Sequence, residues 1–247
     1  MNIRQYLDST YLKTAAQAGL SEDENRDVVI STVNEAIDEN YKLVMIRPEM
    51  VVMTRKLVTD AGSKVSVGTV IDFPFGQGTL DDKLQEARHA IEAGADDLDF
   101  VLDYEGFKNG NVQDVKNQVL ECTRFGLSHN KIVKWIIEIA ALNDHEIVQL
   151  CALVKNIVIS NFDENSYSRV FVKSSTGFYK TRDGIPNGAT IPAIKLMLEN
   201  SYPLPVKAAG GVRTLREAEQ MVALGVKRIG TSSAKAIVSG ETAAGLY

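Results

Sequence analysis

Long apolar runs are missing from this 247-residue chain, and no stretch approaches the roughly 18–20 uncharged apolar residues that a bilayer span needs. The opening, Met1-Asn2-Ile3-Arg4-Gln5-Tyr6-Leu7-Asp8, carries no apolar core of the secretory kind, so a cytoplasmic location is expected. Cysteine is scarce. Cys122 and Cys151 form no CxxC pair and lie in amphipathic stretches, which points to reduced packing residues and away from disulfides or metal ligands. The three histidines, His89, His129 and His145, do not fall at apparent strand ends with ligand spacing, so no metal site is expected. Basic excess is absent as well. A net charge of -5 argues against a surface built to hold nucleic acid, while leaving room for a local basic pocket. No linker rich in Pro, Gly or Ser, no repeat and no low-complexity tract divides the chain. One domain over 1–247 is expected, with a short flexible tail from about residue 240.

What the chain does contain is apolar material, 45% hydrophobic, arranged in a strict alternation. Short β-branched or apolar runs at 6–10, 43–46, 64–72, 98–102, 132–138, 170–174, 205–208 and 228–230 predict strands. Between them, helical periodicity covers 22–39, 48–61, 80–93, 112–125, 144–155, 191–199 and 214–224, with a shorter helix from Ser233. Asn143 precedes Asp144-His145-Glu146 as a start signal, and Thr214 with Glu217 has capping-box spacing. Gly62, Gly94 and Gly225 supply stops. Parallel neighbours need crossover helices, so the alternation implies a parallel sheet, and eight units predict its closure as a (β/α)8 TIM barrel. A doubly wound open sheet fits less well, because the glycine-rich dinucleotide turn after the first strand is missing.

In such barrels, chemistry sits at the C-terminal ends of the strands. The sixth run, Val170-Phe171-Val172-Lys173-Ser174-Ser175-Thr176-Gly177-Phe178, ends on a lysine. By itself that lysine would be expected to snorkel to solvent. The next strand repeats the arrangement in Pro205-Val206-Lys207-Ala208-Ala209-Gly210-Gly211-Val212-Arg213-Thr214. Adjacent strands lie about 4.8 Å apart, so two inward lysines would repel, and one would be driven toward the neutral, nucleophilic amine. In Gly94-Ala95-Asp96-Asp97-Leu98-Asp99-Phe100, alternation puts Asp97 and Asp99 on one face. An acid there is either a proton carrier or a structural counter-ion, and charge logic alone leaves both open. Gly210-Gly211 lets backbone approach a ligand, and Gly230-Thr231-Ser232-Ser233 opens a helix. Placed after strands seven and eight, these turns favour phosphate.

Those segments, in this order, resemble the deoxyribose-phosphate aldolases, a family of class I, Schiff-base-forming enzymes. Weaker echoes are Leu7-Asp8-Ser9-Thr10-Tyr11-Leu12-Lys13, Phe73-Pro74 with Gly76, Val133-Lys134-Trp135-Ile136-Ile137-Glu138 and Gly230-Thr231-Ser232-Ser233, so the likeness spans nearly the whole chain. The resemblance implies reversible cleavage of 2-deoxy-D-ribose 5-phosphate to acetaldehyde and D-glyceraldehyde 3-phosphate, with no metal or cofactor. It implies Lys173 as the imine-forming amine, Lys207 as the lysine that perturbs it, and Asp99 as an acid/base working through water. Gly177, Gly210, Gly211, Ser232 and Ser233 would surround the phosphate, with Asp8 and Lys134 near the site. Some members end in tyrosine, which gives Tyr247 a possible accessory part in proton exchange. The implied partners are a phosphorylated sugar and an aldehyde, with no nucleic acid or membrane, and the family suggests a homodimer.

Departures from the family pattern bear on substrate preference. Ser9 stands where histidine is frequent, Met45 where a small residue or cysteine is common, and Ile139-Ala140-Ala141 replaces a Thr-Gly turn. The loop over 179–189 is longer and more basic than expected. Two rival readings are a related Schiff-base aldolase with another aldehyde or sugar phosphate, and a catalytically silent sugar-phosphate-binding protein. Substrate profiling separates the first. Retention of Lys173, Lys207 and Asp99 together weighs against the second.

Overall fold

Eight short runs rich in Val, Ile and Leu form the strands β1 (Leu7–Tyr11), β2 (Leu43–Ile46), β3 (Ser66–Ile71), β4 (Asp97–Val101), β5 (Ile132–Ile136), β6 (Val170–Lys173), β7 (Val206–Ala209) and β8 (Arg228–Thr231). The structure is a computed structural model that describes residues 1–182 and 185–240. All neighbouring pairs are parallel, and pairing of β1 with β8 (Leu7 opposite Ile229, Asp8 opposite Gly230) closes a barrel in sequence order. The fold is therefore a (β/α)8 barrel. Each strand expected from the sequence is present, with ends displaced by at most two residues. The tail proposed from about residue 240, with Tyr247, lies outside the described residues, as do Asp183 and Gly184 of the 179–189 loop.

The helices are α1 (Ala15–Ala18), α2 (Glu22–Asp38), α3 (Val51–Asp60), α4 (Leu80–Glu92), α5 (Tyr104–Lys108), α6 (Val112–Ser128), α7 (Asp144–Asn161), α8 (Ile191–Ser201), α9 (Leu215–Leu224) and α10 (Ala234–Ser239). Capping boxes start α7 at Asn143 and α9 at Thr214, each with a glutamate three residues on that returns a bond to the cap backbone. The turns α1 and α5 escaped the sequence reading because four or five residues are too few to show a helical period. Helix α7 outruns its expected end by six residues, since its continuation Asn156-Ile157-Val158-Ile159 is β-branched yet buries Val158. Among the described residues, no helix is long and apolar enough to cross a membrane.

Alternation along each strand splits its side chains between two cores. Outward residues pack under the helices, where Phe100 stacks on Trp135 at 5.1 Å and the Trp135 indole N–H donates to Thr123 Oγ1 at 2.9 Å. The inward residues are unevenly divided. Under β2 and β3, Leu43, Met45 and Val70 form a small apolar cluster with Leu12 just past β1, and Phe73 and Phe178 pack against it. Gly68 makes room for that cluster, because a Cβ there would lie 2.6 Å from Met45 Cε and 3.0 Å from Leu43 Cδ1. The β4–β8 side is charged.

Candidate active site

Inward-facing positions on β4 to β8 and on β1 carry Asp97, Asp99, Lys134, Lys173, Lys207, Arg228 and Asp8, none more than 4% exposed. Strand register sets their neighbours: Asp99 lies opposite Lys134, Lys173 opposite Lys207, and Lys207 opposite Arg228. Burying charge is costly unless each ion is paired, and these ions are. Asp99 is the hub. Its Oδ1 accepts from Lys134 Nζ at 2.6 Å, and its Oδ2 accepts from both Lys173 Nζ at 2.8 Å and Lys207 Nζ at 2.9 Å. Lys134 also contacts Asp97 at 2.8 Å, and Lys207 contacts Asp8 at 2.6 Å. Arg228 Nε donates to Asp8 Oδ1 at 2.7 Å and its Nη2 donates to Asp97 Oδ2 at 3.4 Å. The sequence-derived group Lys173, Lys207, Asp99, Lys134 and Asp8 is thus one connected network.

Four cations face three carboxylates in these ion pairs, so one positive charge is uncompensated when all are ionised. Lys173 is the cation that yields. Burial, reinforced by the charges of Lys207 and Lys134 and resisted by Asp99, brings its pKa down to about 8. Asp99 behaves in the opposite sense. Burial disfavours its charge, but the three lysines outweigh that and hold the carboxyl well below the usual carboxylate range. Asp8 is likewise held low, against burial, by Arg228 and Lys207. Burial opposes the charge of Lys134 too, yet Asp97 and Asp99 raise its pKa.

Above this network lies a cleft, partly open to solvent, with Lys173 in its lining. Gly177, Gly210, Gly211 and Ser232 line it, all four from the sequence reading. Gly177 (φ 84°), Gly210 (φ 83°) and Gly211 (φ 84°) are left-handed, a conformation that favours glycine. Ser233 is half-buried behind the rim, and its N–H donates to Thr231 Oγ1 at 3.0 Å. The helix it opens, α10, has only six residues, so backbone groups and hydroxyls of the turn outweigh any helix dipole there. The loop after β6 is fastened to the turn after β7: Ala189 N–H bonds the carbonyls of Ala209 (3.2 Å) and Gly210 (2.9 Å). Gly188 packs so tightly on Gly210 that a Cβ would come within 2.5 Å of its backbone. Thr176, Phe178, Asn187, Arg213 and Thr231 complete the walls.

Buried lysines on adjacent barrel strands beneath such a cleft are a means of activating an amine toward a carbonyl. Residues 13–240 match the model of the DeoC/LacD family aldolases. The chain belongs to this aldolase family. A deoxyribose-phosphate aldolase of Thermococcus kodakarensis is 34% identical over 96% of both chains. One of Streptococcus equi subsp. zooepidemicus is 36% identical over the full length of both. Among solved structures, a tetrameric deoxyribose phosphate aldolase from Aeropyrum pernix superposes with a TM-score of 0.77 at 28% identity, covering 96% of this chain and 89% of that one.

Within this family member, Arg228 was given no role by the sequence, Asp97 entered only beside Asp99, Thr231 only as part of the turn after the eighth run, and Glu138 only within a segment of family likeness. Arg228 carried a usable signal, a cation opening an apolar strand with its neighbour Ile229 facing out, the same signature as Lys207. Although β5 itself stops at Ile136, Glu138 carried a weaker one: it ends the run read as a strand over 132–138, on the alternation face of Lys134. It is buried, adopts a left-handed conformation (φ 56°, ψ 66°) and bonds Thr176. The histidines sit exposed on α4, α7 and the end of α6. Among the described residues, no cluster of His, Cys, Asp or Glu is arranged to hold a metal ion.

Proposed function

We propose that the protein is a class I aldolase that cleaves 2-deoxy-D-ribose 5-phosphate reversibly to acetaldehyde and D-glyceraldehyde 3-phosphate through an imine on Lys173. The observation that carries this reading is the buried Lys173 amine, which lines the cleft and shares Asp99 Oδ2 with Lys207. Its pKa near 8 leaves a usable fraction of free amine at neutral pH.

In this mechanism the Lys173 nitrogen attacks C1 of the open-chain sugar, and the resulting carbinolamine loses water to give a protonated imine. The C3 hydroxyl then loses its proton. The C2–C3 bond breaks, its electrons pass into the imine, and the three-carbon aldehyde phosphate departs. The remaining enamine takes a proton at C2, and water releases acetaldehyde and the lysine. Asp99 accepts three ammonium contacts in the resting site, which holds it ionised. Converting the Lys173 ammonium to an imine weakens one of them, so Asp99 becomes more basic when the C3 proton must leave, by way of water. Lys207, between Asp99 and Asp8, acts through its charge. The phosphate would rest against Gly177, Gly210, Gly211 and Ser232, with Ser233 behind, and Arg213 on the rim adds positive charge. Assembly as a homo-oligomer belongs to the same proposal, supported by the family resemblance and by the tetrameric Aeropyrum pernix relative.

Borohydride with acetaldehyde is expected to leave an ethyl adduct on the peptide carrying Lys173. Lys173→Ala should abolish both the adduct and turnover of deoxyribose 5-phosphate. Inorganic phosphate should compete with the sugar phosphate and spare phosphate-free deoxyribose. An adduct confined to Lys207 would reverse the assignment, and trapping without sugar-phosphate cleavage would point to another aldehyde substrate.

A further inference from the structure

Just past β5 the chain does something unusual for a residue with a side chain. Glu138 takes up left-handed backbone angles, and the N–H groups on either side of it bond the strand that bears the lysine: Ile137 to the Lys173 carbonyl at 3.0 Å, Ile139 to the Ser174 carbonyl at 2.9 Å. Strain of this kind persists only where the surroundings enforce it. Here those two main-chain bonds are joined by bonds to the side chain. Glu138 is 1% exposed, and its Oε2 accepts from Thr176 N–H at 3.0 Å and from the Thr176 hydroxyl. Thr176 Oγ1 in turn accepts from Phe178 N–H at 3.0 Å. One buried oxygen therefore organises residues 176–178, and all three of these residues line the cleft.

We infer that Glu138 is a positioning residue: its carboxyl draws Thr176 and Phe178 inward and so presents the intervening Gly177 backbone to the sugar-phosphate end of the ligand. Two features divide this labour from that of Lys173. The carbonyls of Lys173 and Ser174 are held by main-chain bonds from Ile137 and Ile139, which do not need the carboxyl. The turn beyond them is bonded by Oε2 at Thr176, with a longer bond from Asn187 Nδ2 to the Gly177 carbonyl at 3.4 Å. Gly177 has φ 84° and open space where a Cβ would lie, as expected of a backbone wall that a ligand approaches closely. Burial raises the pKa of Glu138, against the bonds from Thr176 and Ser175 and the charge of Lys173, which lower it. A glutamine carbonyl can accept the same two bonds.

The inference rests on the proposed sugar-phosphate reaction, and two measurements on Glu138→Ala and Glu138→Gln keep the two separate. Amide exchange across residues 174–178 should speed up about tenfold in Glu138→Ala, stay near wild type in Glu138→Gln, and leave 132–136 unchanged in both. KM for deoxyribose 5-phosphate should rise about tenfold in Glu138→Ala, while acetaldehyde trapping on Lys173 stays within about threefold of wild type. Glu138→Gln should keep both near wild type. Equal losses of trapping and sugar-phosphate turnover in Glu138→Ala would make Glu138 plain scaffold and overturn the inference. So would unchanged exchange, or a Glu138→Gln variant as impaired as Glu138→Ala. A wild-type protein that traps acetaldehyde and ignores the sugar phosphate would instead overturn the reaction, with the exchange data still deciding the turn.

Discussion

As the proposed nucleophile, Lys173 joins two demands that usually conflict, since an amine must be hidden to lose its proton and reachable to attack. It meets both by sitting 3% exposed in the lining of a cleft, with Lys207 beside it on the next strand. With a pKa of about 8, roughly one molecule in ten carries the free amine at pH 7; at 10.5, about one in three thousand would. Imine trapping should therefore climb with pH and level off above about 8. Lys207→Leu removes a repelling charge, so the amine should regain its proton more readily and the rising limb should move to higher pH. A limb that stays in place would show that Lys207 does not tune the amine. At this scale the sequence was informative for Lys173, Lys207 and Asp99, because a charged side chain in an apolar strand announces its direction by alternation. It was less informative for Glu138, which ends the run read as a strand but lies two residues past β5.

At the scale of elements, the eight strands and the principal helices were legible because burial on both faces leaves short, near-continuous apolar runs in a parallel strand. What a strand omits was harder to see. Gly68 in β3 has no visible purpose until Met45 and Leu43 of β2 are placed over it. Met45, a departure from the family pattern, fills the space that Gly68 vacates. Gly68→Ala alone should destabilise the barrel by ~1–3 kcal/mol through overpacking, measured as a lowered urea midpoint. Pairing it with Met45→Ala relieves the clash with Met45 Cε and should recover part of that loss. If the double variant is as unstable as the sum of the single ones, the two residues are not coupled.

For the whole molecule, the interior is divided between an apolar part under β2 and β3 and an ionic part under β4–β8 and Asp8 of β1, and the ionic part is expected to reduce stability. Folding lowers the pKa of Lys173 from 10.5 to about 8, so between those values the folded chain binds fewer protons than the unfolded one. Stability should rise with pH across that window, and below about pH 8 the full cost, ~3 kcal/mol, is present. Lys173→Met keeps most of the volume without the charge, and Asp99 retains Lys134 and Lys207 as partners. This variant should be inactive yet harder to unfold by urea at pH 7, with the advantage shrinking toward pH 10. A less stable variant would mean that the ammonium helps hold the barrel together. The sequence could place these charges in the interior, but it could not show how many closed into pairs, because that depends on the register and shear of the closed sheet.

The contact between Gly188 and Gly210 has a consequence for how the protein can change over generations. Neither position tolerates even a methyl group unless the other backbone moves, so the loop after β6 and the turn after β7 are inherited as one character. Libraries that diversify the two separately should return almost nothing at 188. Variation there should survive chiefly alongside compensating change around 210, as a linked pair of mutations.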